Sequence, residues 1–154
     1  MKDAAEIYVE HATMTFERVF AVTPERAFRA FADETERAKW EAPGEGWESE
    51  HYSHDFRPGG AELMRFGPAG DPRYEGVGVY ADIVENRRIV SMMTMKESGR
   101  PISASVMTYM FDADPRGVRL TVTDQTAYFD GSETPSSRQE GWTAILDGLS
   151  AHLA

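Results

Sequence analysis

TPSSRQEGWTAILDGLSAHLA, residues Thr134 to Ala154, is the stretch on which the fold turns. Pro135 suits the first position of a helix, where its missing N–H would go unpaired in any case, and Thr134 before it can serve as the cap. Ser136 and Ser137 each stand three residues before Gln139 or Glu140, the spacing of a capping box. Beyond that start, Trp142, Ile145, Leu146, Leu149 and Leu153 fall on one stripe at helical periodicity, with Thr143, Asp147 and Ser150 on the other side. A stripe of this kind must press against another layer. Gly141 and Gly148 share one flank of the helix at a cost of roughly 1 kcal/mol each against alanine. They either permit close helix packing or leave room for a guest.

The other layer is supplied by the residues from His51 to Phe129, which read as strand and turn. Tyr52, His54 and Phe56 share a face before the turn Pro58-Gly59-Gly60. Strands are predicted over Ala61–Phe66, Tyr74–Val84, Arg88–Lys96, Ile102–Phe111 and Val118–Ala127, joined by short turns, which makes an antiparallel meander. Upstream, residues 1–11 are expected to fray and Thr13–Val22 to form a first strand, with a break in strict alternation between Phe16 and Val19. Thr23-Pro24-Glu25 then opens a helix with Ala27, Phe28 and Phe31 on its buried side. Asp33-Glu34-Thr35 restarts it as a second short helix ending near Trp40, before the turn Ala42-Pro43-Gly44-Glu45-Gly46.

A chain of 154 residues without repeat or linker is expected to form one domain, 1–154. It contains no cysteine, so disulfides and thiol catalysis are excluded. The start of the chain has no leader-like apolar region and no run approaches the roughly 18 apolar residues of a membrane span, which points to a cytoplasmic location. Sixteen basic against 26 acidic residues give a formal charge of −10, which repels phosphate backbones, and nucleic acid is not an expected partner.

Gly76-x-Gly78-x-x-Ala81 matches a dinucleotide fingerprint only formally, because it lies inside a strand instead of between a strand and a helix. His51 and His54, three apart on a strand, point to opposite faces and cannot share a metal ion without a bulge, so no metal or cofactor is expected. The methionines say more as a set. Ile89, Ser91, Met93 and Met95 share one face of their strand, and Ser103, Ser105, Met107, Tyr109 and Phe111 one face of the next. Methionine and aromatic groups interleaved with small hydroxyls suit a pocket for varied guests better than a plain aliphatic core does. On the opposite faces, Val77, Val79, Val90, Met92, Val106 and Met110 form an apolar outer surface, which raises the expectation of a homodimer.

The order of strand, two short helices, six strands and a long closing helix is that of the helix-grip fold. The chain resembles the START-like (SRPBCC) superfamily, in the branch related to the activator of the 90-kDa heat-shock protein ATPase. The matching segments are Phe16–Phe28, Trp40, Asp55–Gly60, Tyr80–Val84 with Arg88–Val90, Gly117–Thr123 and Asp130–Trp142, spread over residues 12–154. The resemblance implies an α+β domain in which a curved seven-stranded antiparallel sheet wraps around the last helix. It also implies a cavity between them for lipids, polyketides or other apolar small molecules, and carries no universal catalytic residue. Co-chaperone activity belongs to longer relatives with an added N-terminal domain and is not expected of this chain. Residues expected at an apolar ligand are Trp40, His54, Phe56, Met64, Tyr80, Met93, Met107, Tyr109, Trp142 and Leu146. Alternatives are a polyketide-cyclase-like enzyme, with His54, Tyr80 or Tyr109 moving protons, and an interaction module using the outer sheet face.

Overall fold

The computed structural model describes residues 7–41 and 44–154. Its elements run β1 (Glu10–Phe20), α1 (Pro24–Ala32), α2 (Glu34–Trp40), β2 (Trp47–His54), β3 (Ala61–Pro68), β4 (Tyr74–Val84), β5 (Arg88–Glu97), β6 (Arg100–Asp114), β7 (Gly117–Tyr128) and α3 (Pro135–Leu153). The seven strands form one curved antiparallel sheet in the order β1-β7-β6-β5-β4-β3-β2, with α3 against its concave face. Ala42 and Pro43 of the expected turn after α2 lie outside the described residues, as do residues 1–6 of the expected frayed start.

The first strand begins earlier than its alternation predicts. Glu10, His11 and Ala12 pair with Tyr128, Ala127 and Thr126, so backbone hydrogen bonds to β7 hold residues that the apolar pattern does not reach. Its register is unbroken from Phe16 to Phe20. The inward position between them is filled by Arg18, whose guanidinium pairs with Asp147 of α3 at 3.0 Å, and this accounts for the apparent break in period.

Helix starts follow local chemistry. Thr23 accepts from the Arg26 N–H at 3.1 Å, and Asp33 ends α1 while its carboxylate caps α2 through the Glu36 N–H at 2.9 Å. At α3 the box closes between Thr134 and Ser137, each side chain bonding the other's backbone N–H. Ser136–Gln139 and Ser137–Glu140 do not form it, because Thr134 already stands at the cap and Ser137 is its third helical residue. Trp142, Leu146, Leu149 and Leu153 are buried on the predicted stripe, each worth about 1.5–3 kcal/mol when fully removed from water.

Three irregularities shape the sheet, at Ser49/His51, Tyr80/Asp82 and Met95/Lys96. The first precedes His51, so His51 and His54 stay on opposite faces. The third leaves Ile102 without a partner on β5 and buries it at 1% exposure. Gly76, within β4, sits beneath two methionines: an added Cβ would lie 2.7 Å from Met64 Cγ and 2.8 Å from Met93 Sδ. Outside, Val77, Met92 and Val106 are exposed, as the alternation predicts for that face.

Candidate functional site

Between the concave face and the N-terminal half of α3 lies a cavity of about 380 Å³. Its apolar wall comes from Met64, Met93, Met95 and Met107 of the sheet, with Tyr109 and the Trp142 and Ile145 side of α3. Ile102 joins them through the irregularity described above. Trp47, Phe66 and Tyr74 line it as a cluster of rings, Phe66 and Tyr74 stacked at 5.6 Å and Trp47 5.6 Å from Tyr74. The wall runs from buried Arg37 and Glu62 out to exposed Ser132 and Glu140, so the cavity reaches the surface beside the start of α3.

Gly141 and Gly148 divide the two roles their spacing offers. A Cβ on Gly141 would meet no atom within 4 Å, and the residue lines the cavity; a Cβ on Gly148 would stand 3.3 Å from the carbonyl oxygen of Trp40. One makes room, and the other lets α3 approach the end of α2.

Two polar clusters border this space. In the first, Arg37 of α2 is 3% exposed, donates through Nε to Glu41 Oε2 at 2.7 Å, and holds Nη2 3.6 Å from Glu62 Oε2. Its guanidinium carbon lies 4.9 Å from the ring centres of both Phe31 and Trp40. Glu62 accepts from the Tyr52 hydroxyl, and the Tyr80 hydroxyl stands 3.2 Å from the same oxygen. Burial holds the Tyr52, Tyr80 and Tyr109 phenols far above their usual range despite Arg37, so they remain protonated donors. Burial also raises the Glu41 carboxyl, against the pull of Arg37.

In the second cluster Arg138 uses all its nitrogens: Nε to Asp124 at 2.6 Å, Nη1 to Glu133 at 2.9 Å and Nη2 to the Ser105 hydroxyl at 2.7 Å. Trp142 donates its indole N–H to the same Asp124 oxygen. Asp124 is fully buried.

Of the ten residues expected at a ligand, Met64, Met93, Met107, Tyr109 and Trp142 stand in the cavity wall. The structure does not bring Trp40, His54, Phe56, Tyr80 or Leu146 to it. Trp40 packs on Phe31 at 4.8 Å and donates its indole N–H to Ala30 O, which makes it a plug between α1 and α2. Leu146, next to Ile145 of the wall, is buried in the core with Leu149. Phe56 packs edge-on against Phe28 and Tyr80. His54 has both ring nitrogens engaged: Nε2 lies 2.9 Å from Ala32 O, which can only accept, so Nδ1 accepts from the Tyr80 hydroxyl at 2.7 Å. A proton-transfer role for His54 or Tyr80 at a guest is therefore corrected: neither lines the cavity, His54 being held by α1 and Tyr80 by His54.

Arg37, Glu41, Glu62, Asp124 and Arg138 were missed by reasoning from the apolar pattern. The period itself carried a signal for two of them, since Glu62 shares parity with Met64 and Phe66, and Asp124 with Leu120 and Val122. Arg37 and Glu41 carried only a helical (i, i+4) charge spacing, which is common on solvated faces.

A curved antiparallel sheet closed by a C-terminal helix over such a cavity defines the START-like, helix-grip class. The chain belongs to the Activator of Hsp90 ATPase homolog 1-like protein family, whose model matches residues 21–154. Solved structures agree. An uncharacterized protein from Rhizobium leguminosarum is 32% identical with a TM-score of 0.85, over 96% of this chain and 97% of its own. Protein Mll3558 from Rhizobium loti is 38% identical with a TM-score of 0.85, over 95% and 99%. An AHSA1-like protein from Aeromonas hydrophila, 20% identical with a TM-score of 0.71 over 92% and 91%, shares the fold. No curated protein matches the sequence. Among the described residues, no helix is long and apolar enough to cross a membrane.

Proposed function

We propose that this protein binds an apolar small molecule in the cavity between the sheet and α3, contacted by Met64, Met93, Met107, Tyr109 and Trp142. The observation that carries the reading is an open space of about 380 Å³ walled by four methionines and by aromatic rings, beside a helix glycine whose missing side chain leaves it clear. Unbranched thioethers adapt to guests of different outline, and a volume of this order holds a small ligand. Tyr109 offers the guest a hydroxyl whose partner among the described residues is the Met107 sulfur at 3.8 Å. Native mass spectrometry of gently purified protein tests it: an apolar adduct should be present in the wild type and absent in Gly141→Phe. Identical adduct-free spectra, together with no uptake of apolar probes, would remove the reading.

The cyclase-like alternative keeps only Tyr109 of its three proton-moving groups in the wall, because His54 and Tyr80, engaged with each other, do not line the cavity. The homodimer stays a separate proposal resting on exposed Val77, Met92 and Val106. Light scattering that returns a monomer mass at micromolar concentration would dispose of it.

A further inference from the structure

The charges around the cavity are unbalanced. Its wall holds two guanidiniums, Arg37 and Arg138, against four carboxyl groups, Glu41, Glu62, Glu133 and Glu140, and Asp124 behind Arg138 is a fifth. Both cations are already paired with carboxylates. Arg138 bonds Asp124, Glu133 and the Ser105 hydroxyl. Arg37 gives Nε and Nη2 to Glu41 and Glu62, and its Nη1, which finds no acceptor among the described residues, is shut off from solvent while the guanidinium lies over Phe31 and Trp40. An incoming carboxylate would be stripped of water and left facing like charge.

The acceptors are differently placed. Glu62 Oε2 is already crowded by Tyr52, Tyr80 and Arg37. Glu41 binds Arg37 through Oε2 alone, and among the described residues no hydrogen bond reaches its Oε1, although the residue lines the cavity and its side chain is only 13% exposed. Nearby walls offer ring faces at Trp47, Phe66 and Tyr74, surfaces that attract cations.

Resting on the reading of this cavity as a ligand site, we propose that its guest is an apolar molecule bearing a cationic nitrogen, with an N–H directed to Glu41 Oε1, and that carboxylate-headed molecules such as free fatty acids are rejected. The match is of sign and of hydrogen-bond role: carboxyl groups outnumber guanidiniums in the wall, and Glu41 Oε1 is an acceptor that no hydrogen bond reaches among the described residues.

Three probes of one shape separate the possibilities: naphthylmethylamine, naphthylmethanol and naphthoate, titrated calorimetrically into wild-type protein at neutral pH. The amine should bind at least about tenfold more tightly than naphthoate, with the alcohol between them. Glu41→Gln should bring the amine's affinity down to that of the alcohol in the same variant. Alcohol binding with naphthoate equal to or tighter than the amine overturns this proposal and leaves the apolar cavity standing. An unchanged amine preference in a folded Glu41→Gln protein overturns the assignment to Glu41. Failure of all three probes overturns the ligand-site reading itself. Since the ranking is read on wild type, it holds as a test even if Glu41→Gln fails to fold.

Discussion

Arg138 on the first turns of α3 donates to Asp124 in the middle of β7 over 2.6 Å, and the Trp142 indole reaches the same carboxylate oxygen from one turn further along. The helix is thus fastened to the sheet at the edge of the cavity by a charge pair whose carboxylate is fully buried, and further along leucine packing is joined by contacts from Asp147 to Arg18 and from His152 to Glu36. The pair orients the helix start, and the leucines supply most of the burial.

Removing Asp124 should therefore cost more than its single contact implies, because Arg138 would be left charged and nearly buried with the Trp142 N–H unpaired. Asp124→Ala is expected to lose about 3–5 kcal/mol in urea denaturation. A loss below about 1 kcal/mol would show that the fastening is idle.

Gly141 and Gly148 should respond oppositely to the same change. Gly141→Ala places a methyl in open space and should gain about 0.5–1 kcal/mol from helix propensity. Gly148→Ala brings its methyl to 3.3 Å from the Trp40 carbonyl, and the strain should cancel that gain. Equal gains in thermal unfolding would contradict the division of roles.

His54 makes stability depend on pH near neutrality. Burial, then the Arg37 charge, lowers its folded pKa below the usual value of about 6.5. Between the two values the unfolded chain binds the proton first, so stability should fall as pH drops from about 6.5 towards the folded value and then level off. His54→Gln keeps a donor and an acceptor but cannot titrate. Its denaturation midpoint should lose this slope between roughly pH 7.5 and 5.5.

Glu36 acts in more acidic solution. Burial works to raise its pKa, but hydrogen bonds from His152 at 2.8 Å and from Arg26 prevail and hold it below the ordinary glutamate range. Its contribution is complete above the unfolded value of about 4.5 and is lost as pH falls through the folded one. Glu36→Gln should be less stable than wild type at pH 7, and the two should converge once the pH has fallen below the folded value. A gap that persists there would mean that the carboxylate charge is not what joins α2 to the end of α3.

Much of the architecture could be read from residues in line. The strand read over Tyr74–Val84 has the bounds of β4, although the irregularity at Tyr80/Asp82 breaks its period, and Thr23-Pro24, Asp33 and Thr134-Pro135 marked the helix starts, because capping is local and involves neighbours a few residues apart. The inward faces of β5 and β6 followed from parity, and with them the methionines of the cavity wall.

The site's polar half needed the assembled molecule. Arg37, Glu41 and Glu62 come from a helix, its cap and a strand, and Asp124 meets Arg138 only because β7 lies under α3. Parity placed His54 on the inner face correctly, yet only packing decided that its ring would be spent on Ala32 and Tyr80. The sequence by itself determined which side chains turn inward, since that depends on backbone period and the avoidance of water. The tertiary structure alone decided which of them border empty space and which charges are already neutralised, since both depend on distances between segments far apart in the chain.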